Sequence, residues 1–184
     1  MKKIWIGIFI ALFVLFLIVA VVIYNMLLSN YTEESPAEEN GKEILEQATD
    51  FKVYDDNGDE VLFSAFKGRP VVINFWATWC GVCTTEFPHF ENAYKKYGDK
   101  VQFMMVNMTE GSYETEEKAK SFIEKNGYTF PVYYDTNLEA SVKYYISAIP
   151  VTVFIDEDGN IVTKRIGGMN EQMLSGYIEN LIGE

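Results

Sequence analysis

Residues 71–90 read VVINFWATWCGVCTTEFPHF. The first seven, VVINFWA, form a nearly continuous apolar run behind Pro70, the pattern of a strand buried on both faces of a sheet. Cys80 and Cys83 follow at once and lead into a helical pattern over 84–97. These are the only two cysteines in the chain, and both stand at one strand-to-helix turn. Backbone N–H groups at a helix N-terminus favour a thiolate, so Cys80 is expected to be the exposed nucleophile and Cys83, a turn further in, its shielded partner. A thiolate attacks a partner disulfide, a mixed disulfide forms, and the second thiol resolves it.

Other uses of two cysteines compete with that reading. A structural bridge suits an exported domain, but one closing so short a loop adds little, because the stabilisation grows with the loop closed. A structural zinc site needs four ligands, and the chain has two Cys and one His, His89. Copper is a further alternative, since two thiolates with His89 or a methionine suit a soft ion. No peroxidatic motif accompanies the thiols. The strand-to-helix setting favours thiol exchange.

Outward from this segment, VQFMMVNM (101–108) and VTVFID (151–156) are further apolar runs, and helical patterns fall at 114–126, 137–145 and 170–182. Strands alternating with helices imply a mostly parallel sheet covered on both faces. Asp158-Gly159 turns the 151–156 strand into IVTKRIG, an antiparallel neighbour. Upstream, FKVYDDNGDEVLFSAF (51–66) reads as a hairpin about Asn57-Gly58, a dipeptide suited to a two-residue type I′ turn. Phe87, Phe90, Tyr94 and Tyr97 recur at helical spacing as a core stripe, and Trp76 is expected to pack.

The N-terminal part differs in kind. Ile4 to Leu28 contains no charged residue, long enough for a helix to cross about 30 Å of hydrocarbon. A cleavable signal peptide is the rival reading, but its apolar core is normally about 7–15 residues and ends at a small-x-small site, which is missing here. Lys2 and Lys3 precede the span and acidic residues follow it, so the N-terminus is expected in the cytoplasm and the rest outside. The expected domains are a transmembrane anchor at 1–28, an acidic tether at 29–47 interrupted by Pro36 and Gly41, and a folded domain at 48–184. Beyond residue 28 the chain carries 13 basic against 27 acidic residues, a balance that disfavours nucleic acid.

Three stretches carry a resemblance to a known family: FKGRPVVINFWATWCGVC (66–83), EFP (86–88) and AIPVTVFIDEDGNIV (148–162). They resemble the membrane-anchored, thioredoxin-like TlpA/ResA thiol–disulfide oxidoreductases over roughly residues 50–184. The resemblance implies a thioredoxin fold, a central mixed sheet flanked by helices with an N-terminal β-hairpin extension, preceded by one transmembrane helix. It implies a cis bond at Ile149–Pro150 opposite the cysteines, where backbone of Ile149 pairs with substrate. Trp79 is expected to shield the sulfur and contact partners. Thioredoxin's buried aspartate is replaced by Asn74, so the acid–base role passes to Glu86, three residues beyond Cys83. Catalytic roles thus fall to Cys80, Cys83 and Glu86, and substrate contacts to Trp79, Ile149 and Pro150, with no cofactor or metal. The implied partners are protein disulfides, among them apocytochrome c or other envelope proteins, with a membrane thiol transporter of the DsbD/CcdA kind as electron donor. Gly81-Val82 between the cysteines departs from many relatives, which leaves an oxidant that introduces disulfides as the alternative direction.

Overall fold

The structure is a computed structural model in which residues 2–30 and 46–183 are described, with side chains described for 12–26 and 46–183. The chain divides into two units, Met1–Ile44 and Leu45–Glu184. In the first, α1 (Lys2–Asn30) carries exposed apolar side chains such as Leu12, Phe16, Val19 and Ile23. Among the described residues no helix is long and apolar enough to cross a membrane. Most of the expected tether lies outside the described residues.

The second unit is built on one seven-stranded sheet of order β2-β1-β5-β4-β3-β6-β7. In chain order its elements are β1 (Lys52–Tyr54), β2 (Glu60–Leu62), a 3-10 turn (Phe63–Phe66), β3 (Val71–Trp76), α2 (Gly81–Tyr97), β4 (Gln102–Asn107), α3 (Glu116–Asn126), β5 (Val132–Tyr134), α4 (Glu139–Lys143), β6 (Val151–Ile155), β7 (Ile161–Ile166) and α5 (Glu171–Ile182). β3, β4 and β5 run parallel, whereas β6 is antiparallel to β3, β7 to β6, and β1 to β5. This is the mixed, helix-flanked α/β sheet expected of a thioredoxin-like fold. Ile161 N–H donates to Glu46 O and Ala48 N–H to Gly159 O, so the chain is pinned to the β6–β7 turn ahead of β1.

β3 is buried at every position, as its apolar run requires. Side chains alternate across a strand. Val72, Asn74 and Trp76 therefore share one face and Val71, Ile73 and Phe75 the other. The first face packs with Phe87 and Phe90 of α2 and Leu174 and Ile178 of α5. The second packs with Phe51, Val53 and Tyr144. Phe87 stands edge-on to Trp76 at 4.8 Å and to Phe130 at 5.3 Å, so the helical stripe read in the sequence is core.

The hairpin about Asn57-Gly58 forms, but not with a two-residue turn. β1 and β2 pair Tyr54 with Glu60, leaving residues 55–59 as the loop. A type I′ turn needs positive φ at both central residues, and of this pair only Gly58 has it, at 82°. The Asp55 carboxylate accepts from Asn57 N–H and Asp59 N–H, both at 2.9 Å, and this side-chain turn displaces the tighter one. α4 is shorter than the pattern at 137–145 suggests, and β5 is an element the apolar pattern did not reveal.

Candidate active site

Cys80 caps α2. It has extended backbone, and its sulfur accepts from Cys83 N–H at 3.2 Å. The two cysteines are joined in a disulfide. Cys83 is fully buried, and Cys80, expected to be exposed, is itself largely covered at 7%. It remains the more accessible of the two. The sulfur of Cys80 lies 3.7 Å from the carbonyl oxygen of Ile149, and the Ile149–Pro150 bond is cis. The segment ahead of β6 and the start of α2 thus face each other across this sulfur, joining residues 69 positions apart.

Trp79, just before the pair, and Val82, between the two cysteines, are 62% and 54% exposed, so apolar surface adjoins the more accessible sulfur, that of Cys80. Gly168 closes this side. A Cβ there would stand 2.8 Å from Val82 Cγ1, so any larger residue would push the Val82 side chain aside where the β7–α5 loop approaches α2.

Glu86, on α2 three residues beyond Cys83, is buried at 2% exposure. Asn74 Nδ2 donates to its Oε1 at 3.0 Å and Met169 N–H to its Oε2 at 2.9 Å. Burial pushes its carboxyl up to about 7, against the opposing pull of the Met169 and Asn74 hydrogen bonds. Asn74 also donates to Thr152 Oγ1 at 3.0 Å, while its own Oδ1 is buried without a partner. The position where thioredoxin holds an aspartate thus serves here to orient a glutamate from the next helix. A carboxyl pushed up to about 7 can both give and take protons near neutral pH.

His89 stands apart from the cysteines: its Nδ1 is 3.9 Å from Glu171 Oε2. Among the described residues no group of three His, Cys, Asp or Glu side chains is placed to hold a metal ion.

One residue of the site was not anticipated. Glu114 is wholly buried, and its carboxylate accepts from Thr78 N–H at 2.9 Å, Thr78 O–H at 2.5 Å and Asn107 Nδ2 at 2.7 Å. It grips the loop just before Cys80 from 36 positions away. A single acidic residue ahead of a helix looks like any first-turn carboxylate, so the sequence offered no signal for it.

The Redoxin family profile matches residues 44–181. ResA, a thiol–disulfide oxidoreductase of Halalkalibacterium halodurans, is 35% identical over 135 residues, covering 73% of this chain and 74% of the relative. Its Bacillus subtilis counterpart is 36% identical over 146 residues, covering 77% and 79% respectively. The crystal structure of StoA from Bacillus subtilis superposes with a TM-score of 0.63 at 28% identity, covering 71% of this chain and 97% of StoA. With a Cys80–Cys83 disulfide at the head of α2 in a thioredoxin-like sheet, the chain belongs to the Redoxin family as a ResA-like thiol–disulfide oxidoreductase.

Proposed function

We propose that the chain reduces disulfides of selected exported polypeptides at the outer face of a membrane. Cys80 attacks, Cys83 resolves, and Glu86 exchanges the proton. The carrying observation is the asymmetry of the pair: the Cys80 sulfur sits beside the Ile149 carbonyl, whereas Cys83 is sealed in the core. A substrate strand laid against Ile149 and Pro150 pairs with backbone there and presents its disulfide to Cys80, with Trp79 covering the contact. In the cycle, the Cys80 thiolate displaces one substrate sulfur as a thiolate, which takes a proton from water, and forms a mixed disulfide. Cys83, giving its proton to Glu86, then attacks Cys80 and expels the second substrate sulfur as a thiolate, which is protonated by water or by Glu86. Two electrons pass from the dithiol to the substrate, and the enzyme is left as the disulfide seen here.

The anchor belongs to the same proposal. Residues 4–28 lack charge, and an uncharged apolar stretch of that length in the sequence is enough to cross the hydrocarbon core as a helix. Tethering concentrates the domain near membrane-bound donors, here a thiol transporter of the DsbD/CcdA kind, and near membrane-bound targets such as apocytochrome c. The oxidant direction draws no support from a particular contact in the site.

The test is to express a Cys83→Ser chain in intact cells and quench with an alkylating reagent that does not cross the membrane. Mixed disulfides between Cys80 and exported polypeptides are expected to accumulate and to vanish on treatment with dithiothreitol. Adducts with cytoplasmic proteins only, or none at all, would contradict the proposal.

A further inference from the structure

The active-site loop between β3 and α2 is held by a chain of bonds that starts far from it. Asn107 ends β4 in register with Trp76 of β3, and Met108 N–H donates to Trp76 O at 2.9 Å, so Asn107 is part of the rigid sheet. Thr109 O–H donates to Asn107 Oδ1 at 2.7 Å, which turns the Asn107 Nδ2 toward Glu114. The backbone of Glu114 is fixed as well: its N–H donates to Glu110 Oε1 at 2.9 Å and its carbonyl accepts from Gly111 N–H at 2.9 Å.

From that base the Glu114 carboxylate takes both the N–H and the O–H of Thr78. The Thr78 N–H belongs to the same peptide group as the Ala77 carbonyl, and that carbonyl accepts from Cys80 N–H at 3.1 Å. One peptide is therefore gripped on its N–H by Glu114 and on its C=O by the nucleophile's own backbone. Without that grip the turn at 77–79 has few other ties, and the Cys80 sulfur would lose its alignment with Cys83 N–H.

We infer that Glu114 is a positioning residue for thiol–disulfide exchange: it orients the Ala77–Thr78 peptide and through it holds the Cys80 sulfur at the N-terminus of α2. The inference rests on Cys80 being the attacking thiol.

Three substitutions separate position from charge. In Glu114→Gln the amide oxygen keeps the Thr78 N–H and Asn107 bonds, and the amide N–H donates to the Thr78 hydroxyl, which also accepts. Glu114→Asp keeps the charge but falls one methylene short, and Glu114→Ala removes both. The readout is alkylation of the reduced full-length chain by iodoacetamide across pH, with the modified cysteine identified by mass.

In Glu114→Gln the rate and the pH of half-maximal reactivity at Cys80 are expected to stay within about twofold and about 0.2 units of the parent. In Glu114→Asp and Glu114→Ala the half-point is expected to rise by roughly half a unit or more, and the rate at pH 7 to fall about fivefold or more, because the thiolate loses its N–H donor. A half-point that falls in both Glu114→Gln and Glu114→Ala would assign the effect to charge and overturn the inference. Unchanged profiles in all three variants, with only stability lost, would overturn it equally. Should Glu114→Ala not fold, the Asp and Gln pair decides alone. If the parent chain is alkylated first at Cys83, it is the assignment of Cys80 as nucleophile that fails, and this inference with it.

Discussion

Replacing Cys80 by serine is expected to reduce disulfide reduction to the uncatalysed background, a loss on the order of a thousandfold or more. A serine hydroxyl is scarcely ionised at neutral pH and forms no disulfide, so the attacking step has no substitute group. Cys83 cannot take over, because it is fully buried beneath the helix start while the Cys80 sulfur is the one that meets Ile149 at the surface. The fold should survive, since a serine side chain is itself a good helix cap and can still accept from Cys83 N–H. Turnover of a peptide disulfide, followed by release of free thiol, checks it. A Cys80→Ser chain retaining a tenth of the parent's kcat/KM would show that the wrong sulfur has been made the nucleophile.

The second large effect concerns Glu86 and pH. Its carboxyl is pushed up to about 7 by burial, whereas in the unfolded chain it returns to about 4.5. Between those values the native state holds a proton that the unfolded state has lost. The slope of unfolding free energy with pH is therefore negative there. The oxidised domain should lose stability as pH rises from about 4.5 through about 7, and the loss levels off above that. The full contribution is about 3 kcal/mol.

Glu86→Gln should abolish that slope, which urea unfolding of the oxidised chain at pH 5 and pH 8 would reveal. It should also slow resolution by Cys83 by about a hundredfold and erase an inflection near neutrality in its pH–rate profile, the signature of lost proton transfer. A Gln variant with the parent's stability slope and rate would place the titrating group elsewhere. The glutamine is not a perfect mimic, since both neighbours, Asn74 Nδ2 and Met169 N–H, donate to this carboxylate. One of those bonds is lost on substitution, so the slope with pH is the cleaner readout than absolute stability.

The parts of this site that were legible in the sequence are those written in consecutive residues. VVINFWA announced a strand buried on both faces, and all six positions of β3 are buried. Two cysteines before a helical stripe announced a capped helix start, and Cys80 is the cap of α2. Asp158-Gly159 announced the β6–β7 hairpin, where Gly159 takes φ of 85°. Each signal is local, so the chain's own periodicity carries it.

What stayed hidden depends on groups that meet only after folding. The Glu114 carboxylate reaches Thr78 across 36 positions, and Asn74 reaches Thr152 across 78. No spacing in the chain encodes such a bond. β5 escaped notice because Val132–Tyr134 has only three residues, and it is a strand by virtue of pairing with β4 on one side and β1 on the other. The turn at 55–59 was misjudged because the Asp55 side chain competes with the backbone for the donors of its own loop. Glu86 is an intermediate case. Its place one turn beyond Cys83 was legible, but the burial that raises its carboxyl, and the Met169 N–H and Asn74 bonds that oppose the rise, exist only once the chain has folded.

The central claim is that the Cys80/Cys83 pair works as a reductant, and its reduction potential tests that most directly. The full-length chain in detergent would be equilibrated with dithiothreitol or glutathione buffers, and the two cysteines scored by mass after alkylation. A potential near or below about −270 mV, the thioredoxin range, is expected, since such a dithiol can reduce most exposed protein disulfides. A value near about −120 mV, the DsbA range, would contradict the account and make disulfide formation the activity of this site.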